Sequence, residues 1–196
     1  MKFNKIVFAT GNPNKLKEIN AAIKSFKIVG FKDLGINEEI PETGITLKEN
    51  ALQKAKYVYD KTGLSCFSDD TGLEIEALNN RPGVYSAMYA GPSCSSENNM
   101  QKVLKELYSI RNRKAKFKTV IALILNGKEY FFEGGVNGDI LKEKKGSDGF
   151  GYDPIFRPNG YNETFAQMSI GLKNKISHRG IAVKKLVAFL NQEELG

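Results

Sequence analysis

The pair Asn126-Gly127 restricts the possible folds more than any other feature, because it separates two long apolar segments, 116–125 and 129–136. Asn-Gly between alternating apolar segments is a strong signal for a type I′ turn, whose twist matches that of paired antiparallel strands. The sequence therefore predicts a β-hairpin made of two long strands.

Strands and helices alternate along the rest of the chain. Apolar runs predict strands at 5–10 and 26–31. Helical spacing of apolar residues, and a Thr-x-x-Glu capping box in one case, predict helices at 14–24, 46–61, 96–107 and 179–191. This alternation, together with the hairpin, favours an α/β fold with a mixed sheet.

Length and composition place limits on the class of protein. A chain of 196 residues with 41% hydrophobic residues suits one domain, 1–196, with or without two lobes. No apolar run approaches the roughly 18 residues that span a bilayer, and the N-terminal apolar stretch is too short for a signal peptide. We therefore expect a cytoplasmic protein. Two cysteines and one histidine, His178, argue against a disulfide framework and a zinc site.

The charges are distributed unevenly. The chain carries 29 Lys and Arg against 22 Asp and Glu, a net charge of +7. Basic residues are spread throughout, whereas acidic residues gather at 38–49 and 69–76. A local acidic cluster in a basic protein indicates a cation that bridges the protein to an anionic ligand. A lysine-rich surface without function is the alternative. A nucleic-acid-binding module, supported by the basic run 111–118, is another.

The segment Thr10-Gly11-Asn12-Pro13-Asn14-Lys15 lies between the first predicted strand and the first predicted helix. Asn12 is a suitable N-cap, and Pro13 suits the first helical position. A helix N-terminus after a glycine turn binds anions, and Lys15 adds a full positive charge. The segment lacks the second glycine and the Ser/Thr of a Walker A loop. Taken alone, it fits a plain strand-to-helix turn at least as well.

A second segment, 68–74, contains the adjacent carboxylates Asp69 and Asp70. We predict that they lie in a glycine turn between short strands at 65–67 and 72–75. Adjacent carboxylates near an apolar run need a cation or hydrogen bonds for compensation. Together with a glutamate from 38–42 they would supply the hard oxygen ligands of Mg²⁺, and one aspartate could deprotonate water. A solvated turn is the alternative.

Two further segments carry aromatic and basic side chains. Within the ordered loop predicted at 146–162, Phe150 or Tyr152 could stack on a base, and Asp153 could orient donors. Near the last helix, Ser177 is a plausible N-cap, and Lys173, His178 and Arg179 place donors at the helix start. An aromatic turn that closes a core edge, and a structural histidine, are the alternatives.

Six segments taken together resemble the inosine triphosphate pyrophosphatase family. They are TGNPNK at 10–15, PETG…KENALQKA at 41–55, SDDTGLEIEAL at 68–78, RPGVYSAMYAG at 81–91, FGYDPIF at 150–156 and SHRGIA at 177–182. They occur in family order and reach from near the first residue to the last helix. The chain departs from the family at Met88, where the family often has arginine, so a contact from that side chain is lost.

The resemblance implies an elongated mixed β-sheet with flanking helices and two lobes around a central cleft. It also implies a homodimer, dependence on Mg²⁺, and hydrolysis of ITP, dITP and XTP to the monophosphate and pyrophosphate. The alternative that the chain is a related pyrophosphatase acting on other bases stays open.

The resemblance also assigns roles to residues. Asp70 would be the proton acceptor and a metal ligand, with Asp69 beside it and Glu42, or failing that Glu39, completing the metal site. The implied substrate-binding residues are Thr10, Gly11, Asn12, Pro13, Asn14, Lys15, Thr71, Phe150, Gly151, Tyr152, Asp153, Lys173, His178 and Arg179.

Overall fold

The structure, a computed structural model, describes residues 5–23 and 26–195, without the side chains of 193–195. Its strands are β1 (Lys5–Phe8), β2 (Lys27–Gly30), β3 (Cys66–Ile75), β4 (Arg81–Gly83), β5 (Lys114–Leu125), β6 (Lys128–Ile140) and β7 (Phe156–Pro158). Its helices are α1 (Pro13–Ala22), α2 (Leu47–Thr62), α3 (Ser96–Glu106), α4 (Ile170–Ile176) and α5 (His178–Leu195). The predicted α/β fold with a mixed sheet is confirmed.

The strands form one seven-stranded sheet in the order β2-β1-β3-β5-β6-β7, with β4 on the edge of β3. β1 runs parallel to β2 and β3, and the other pairs are antiparallel. At the tip of the β5–β6 hairpin, Asn126 has φ 49° and Gly127 has φ 79°. A type I′ turn needs a positive φ at both positions, so the predicted hairpin is confirmed. Its strands are longer than the sequence predicted.

The prediction for the acidic pair was wrong in one respect. Asp69 and Asp70 do not lie in a turn between two short strands, because Cys66–Ile75 is one continuous strand that pairs with β5 along its whole length. Gly72 serves a close approach of backbones: a Cβ there would lie 2.7 Å from the carbonyl oxygen of Gly83 in β4. The strand can continue through two carboxylates because each of them has a cationic partner.

The opposite edge of β3 is left without a neighbouring strand between Ser68 and Gly72. β1 pairs with this edge only as far as Phe67, and β4 begins to pair at Leu73. Peptide groups on an unpaired strand edge are free to bind a ligand. We call these residues the open edge of β3.

Helices cover both faces of the sheet. α1 and α5 pack on one face around Phe8, Phe67 and Ile121, and α2 packs on the other face around Ala51, Ala55 and Cys66. A third apolar cluster, around Phe117, Phe156 and Val103 of α3, fills the other end of the molecule. No helix formed by the described residues is long and apolar enough to cross a membrane.

Four of the five helices were predicted, with starts within one residue of those observed, whereas α4 was not predicted and α5 extends to Leu195 rather than 191. Thr46 and Glu49 form the predicted capping box at the start of α2, and Ser95 caps α3. The first helix runs over Pro13–Ala22, and the predicted end at Lys24 lies outside the described residues. Ser177 caps α5 as predicted, because its Oγ accepts a hydrogen bond from the N–H of Gly180 at 3.1 Å.

Candidate active site

Because Asp69 and Asp70 are neighbours in one strand, their carboxylates lie on opposite faces of the sheet. Successive side chains of a strand alternate between faces, so Asp69 points toward α1 and α5, and Asp70 points toward α2. Both are buried, with 1% and 7% of their surface exposed. The open edge of β3 therefore has one acid on each side.

Asp69 is bound by two cations that lie far apart in the sequence. Lys15 Nζ lies 3.1 Å from Oδ1 of Asp69, and Arg179 Nε lies 3.0 Å from Oδ2. Burial alone would raise the pKa of Asp69, but the charges of Lys15 and Arg179 outweigh it and hold that pKa well below its usual range. The structure thus brings together three side chains that the sequence had singled out separately.

The N-terminus of α1 is more fully capped than the sequence indicated. Asn12 Oδ1 accepts hydrogen bonds from the N–H groups of Asn14, at 2.9 Å, and Lys15, at 3.3 Å. Pro13 has no N–H, and Thr10 Oγ1 accepts from the N–H of Asn12 at 3.2 Å. The helix end therefore offers few free donors, and the Lys15 ammonium is its main positive group.

Thr71 lies on the open edge, beside the charged groups. Its hydroxyl lies 2.6 Å from that of Thr119 and accepts a hydrogen bond from Arg179 at 3.1 Å. On the same edge, Asp69 O accepts from Lys15 Nζ and Leu73 N donates to Ser86 Oγ. Because the peptide groups of every second residue of a strand face the same edge, the N–H of Thr71 also points to this open edge.

We call Asp69, Lys15 and Arg179 the Asp69 cluster. This cluster continues into a buried network around Glu18. Lys173 Nζ lies 2.5 Å from Oε1 of Glu18 and 2.6 Å from Oδ2 of Asp153. The other oxygen of Glu18 binds Arg179. The charges of Arg179 and Lys173 outweigh burial and lower the pKa of Glu18, whereas burial raises the pKa of Asp153.

Sequence reasoning missed Glu18. The available signal was an acidic residue beside Ile19, on the side of the first helix that faces the core. A buried carboxylate at such a position requires a cationic partner. The sequence could not show which cation that partner would be.

A pocket of about 270 Å³ opens beside this network, between α1, α4 and the loop before β7. Its lining residues are Asn14, Lys17, Glu18, Asp148, Gly149, Phe150, Phe165, Met168, Ile170 and Lys173. Lys173 Nζ and Arg179 Cζ lie 5.0 and 5.4 Å from the centre of the Phe150 ring. A flat aromatic ligand fits between such a ring and polar groups.

Glycines and a buried tyrosine shape the loop that carries Phe150. Gly149 has φ +77°, and a Cβ there would lie 2.3 Å from Oδ2 of Asp153, which accepts the N–H of Phe150 at 2.7 Å. Gly151 also has a positive φ, 64°. Tyr152 packs in the core, and its hydroxyl donates to the carbonyl of Ser86 at 2.8 Å. Of the two aromatic candidates, Phe150 therefore lines the pocket and Tyr152 does not.

His178 is fully enclosed next to Arg179. Its ring stacks on Phe117 at 4.4 Å with an interplanar angle of 15°, and its Nδ1 has no hydrogen-bond partner among the described residues. Burial lowers the pKa of His178 well below 6.5, and the charges of Arg179 and Lys173 act in the same direction. The imidazole is therefore neutral at pH 7.

We expect His178 to make stability depend on pH. Below about pH 6.5 the unfolded chain protonates this histidine and the native state does not, so the free energy of unfolding falls by about 1.4 kcal/mol per pH unit. This contribution is fully present above pH 6.5 and is lost as the pH falls toward the lowered native pKa.

Urea unfolding of the wild type and His178→Gln between pH 7.5 and 5 measures this difference. Because the sequence contains no other histidine, the substitution should lower the slope between pH 6.5 and 5 by about 1.4 kcal/mol per pH unit. Equal slopes for the two proteins would show that His178 protonates normally in the native state.

Asp70, on the other face, meets a second set of polar groups. Lys54 Nζ lies 3.3 Å from Oδ1 of Asp70 and 3.0 Å from Oε1 of Glu42. Asn50 Nδ2 lies 3.4 Å from Oδ2 of Asp70, and its own oxygen accepts the N–H of Gly44 at 2.7 Å. Burial raises the pKa of Asp70, and the nearby carboxylate of Glu42 adds to this effect.

Lys54 and Asn50 were also missed as members of the site. They lie four residues apart in α2 and therefore share one face of that helix. Both are buried. A polar pair at i and i+4 on the buried face of a helix was the signal in the sequence.

The donor set around Asp70 fits a magnesium ion. Asp70 and Glu42 converge on one point of positive charge, the Lys54 ammonium, and Mg²⁺ takes one or two carboxylates plus substrate phosphates. Both oxygens of Asp69 already face Lys15 and Arg179. The side chain of Glu39 is exposed and makes no ion pair with any residue that the structure describes. Within residues 5–23 and 26–195, no group of three or more His, Cys, Asp or Glu could hold a metal.

Fold and site together define a class: an α/β protein with one mixed sheet, whose central strand β3 has an open edge. A pocket of about 270 Å³ adjoins the Asp69 side, and the Asp70 side carries a cluster of two acids and a lysine. The family profile that matches residues 6–189 is that of the Ham1 family. The chain belongs to this family.

Sequence and structure comparisons agree with this assignment. The chain is 50% identical over 189 residues to the dITP/XTP pyrophosphatase of Christiangramia forsetii, covering 96% of this chain and 100% of that protein. It is 50% identical over 188 residues to the dITP/XTP pyrophosphatase of Porphyromonas gingivalis, covering 95% and 97%. The structure of the Staphylococcus aureus Ham1 protein aligns with a TM-score of 0.87 at 38% identity, covering 96% of this chain and 99% of that one.

Proposed function

We propose that this protein hydrolyses nonstandard purine nucleoside triphosphates, ITP, dITP and XTP, to the monophosphate and pyrophosphate. The observation that carries the proposal is the placement of Asp69 and Asp70 on either side of one open strand edge, each with its own lysine. The names of the related dITP/XTP pyrophosphatases support the same substrates.

The proposed position of the substrate follows from the two faces of β3. The base enters the pocket beside Phe150 and Lys173, and the sugar lies toward the open edge. The phosphates cross that edge at Thr71, contact Lys15, and reach Asp70 and Lys54. Lys15 and Lys54 neutralise charge on phosphate oxygens, which is the main requirement of phosphoanhydride hydrolysis.

Asp70 is the proposed proton acceptor. A water molecule held by Asp70 attacks the α-phosphorus and gives its proton to the carboxylate. The bond between the α-phosphorus and the bridging oxygen breaks, and its electron pair leaves with pyrophosphate. A raised pKa makes Asp70 a better base than an ordinary aspartate. A magnesium ion held by Asp70 and Glu42 would supply further charge neutralisation at the phosphates. Mg²⁺ dependence, like a homodimer and a cytoplasmic location, stays a prediction.

The hydrogen bonds around the pocket support a selection for oxo-purines. Both oxygens of Glu18 are engaged, by Lys173 and Arg179, and Oδ2 of Asp153 already accepts from two donors. These three buried carboxylate oxygens are thus occupied, whereas the ammonium of Lys173 and the guanidinium of Arg179 can still donate. A 6-oxo group finds donors here, whereas the 6-amino group of adenine would leave buried donors unpaired. Guanine shares the 6-oxo group, so its rejection must act through the 2-amino group.

A substrate panel tests the proposal. We expect pyrophosphate release from ITP, dITP and XTP to exceed that from ATP and GTP by roughly 10²-fold in kcat/KM, the effect of unpaired buried donors. Modified pyrimidine triphosphates belong in the panel because they test the related activity on other bases. ATP turnover as fast as ITP turnover would contradict the proposed selectivity. Tight, steeply salt-dependent binding of RNA or DNA would instead favour a nucleic-acid-binding module.

A further inference from the structure

The face of the sheet that carries Asp70 also carries two lysines of β5. In the β3–β5–β6 register, Asp70 lies opposite Val120 and then Glu133, and Gly72 lies opposite Lys118 and then Gly135. Residues directly opposite each other project from the same face. Lys118 is therefore one row beyond Asp70 on that face, and Lys116 is one row further.

The ammonium group of Lys118 points back toward the row that contains Asp70. Its Nζ lies 3.2 Å from Oε2 of Glu133, which belongs to that row. The neighbours of Lys118 in its own row, Gly72 and Gly135, have no side chains. Leu47 Cδ2 packs against Gly72, 3.3 Å from where a Cβ would be, and Lys116 Cε packs against Gly135, 3.0 Å from the corresponding position. The side chain of Lys118 remains 34% exposed, so its ammonium can reach a ligand.

A small recess adjoins these lysines. It has a volume of about 90 Å³ and is lined by Lys116, Lys118, Glu133, Gly134 and Gly135. Its floor is the backbone of Gly134 and Gly135, which belong to β6 and have no side chains. Lys116 forms no ion pair within the part of the chain that the structure describes. The recess has room for several water molecules, and a compact anion could replace them.

We infer that Lys118, assisted by Lys116, binds the terminal phosphate of the triphosphate and then the departing pyrophosphate. This inference rests on the proposed function. The base pocket lies on the Asp69 face, and the Lys118 recess lies on the Asp70 face, so a triphosphate that crosses the open edge directs its terminal end toward this recess. Lys15 and Lys54 are bound to buried carboxylates, whereas the one carboxylate paired with Lys118 among the described residues is the half-exposed Glu133.

Calorimetric titration with inorganic pyrophosphate and with inosine monophosphate tests the inference, at fixed magnesium and low salt. We expect Lys118→Gln to raise the Kd for pyrophosphate about tenfold, the loss of one charge-assisted contact, and to leave the Kd for the monophosphate unchanged. Glu133→Gln removes the competing carboxylate and should lower the Kd for pyrophosphate. Lys114→Gln, an exposed lysine on the same strand, is the matched control and should change neither value.

An unchanged pyrophosphate Kd in Lys118→Gln would overturn the inference, and so would an equal loss of affinity for both ligands. Absence of pyrophosphate binding by the wild type would also overturn it. These results are distinguishable from failure of the proposed function, since that failure appears as absence of ITP hydrolysis by the wild type, whereas the titration needs no turnover.

Discussion

Asp70→Asn should lose ITP hydrolysis by on the order of 10³-fold in kcat, within the range seen when a general base is removed. Asparagine has almost the same shape as aspartate, but it cannot accept the proton of the attacking water and is a weak magnesium ligand. A coupled assay of pyrophosphate release at saturating ITP measures the loss.

The fold should survive this substitution. Lys54 keeps Glu42 as its partner, and the Asp69 cluster lies on the other face of the strand. The melting temperature should therefore stay close to that of the wild type. Near-normal pyrophosphate release by a folded Asp70→Asn protein would remove Asp70 from the mechanism.

The second large effect is expected for stability. Glu18→Ala should lower the free energy of unfolding by about 3–5 kcal/mol, as when one partner of a buried ion pair is deleted. Glu18 is buried and binds both Lys173 and Arg179, so its removal leaves two enclosed cations with less compensation. Chemical denaturation at pH 7 measures the loss.

Glu97→Ala is the matched control for this measurement. Glu97 also pairs with a lysine, Lys144, at 2.9 Å, but both side chains are about half exposed. Exposed ion pairs contribute about 0–1 kcal/mol, so this variant should be almost as stable as the wild type. Equal losses in the two variants would mean that burial of the Glu18 network has no energetic consequence.

Local signals in the sequence were sufficient for most of the fold. The Asn126-Gly127 turn and the capping box at Thr46 each depend on a few adjacent residues, and both are confirmed. The continuity of β3 could not be predicted in this way. It depends on pairing with β5, some fifty residues away, and on cations that approach Asp69 and Asp70 from α1, α2 and α5.

The candidate site also contains residues that local sequence could predict and residues that only tertiary packing reveals. Lys15, Asp69 and Arg179 stood out because each lies in a motif with its own chemical meaning, and the structure places them in contact. Glu18 and Lys54 lie inside helices, where charged residues are common on the solvent face. Only the packing of those helices on the sheet shows that both side chains are buried and paired.

The central claim is that water attacks the α-phosphorus of a purine triphosphate at the open edge of β3. Hydrolysis of ITP in ¹⁸O-labelled water, followed by mass spectrometry of the products, tests it most directly. We predict that the label appears in inosine monophosphate and not in pyrophosphate. Label in pyrophosphate, or release of the diphosphate and orthophosphate, would contradict the account.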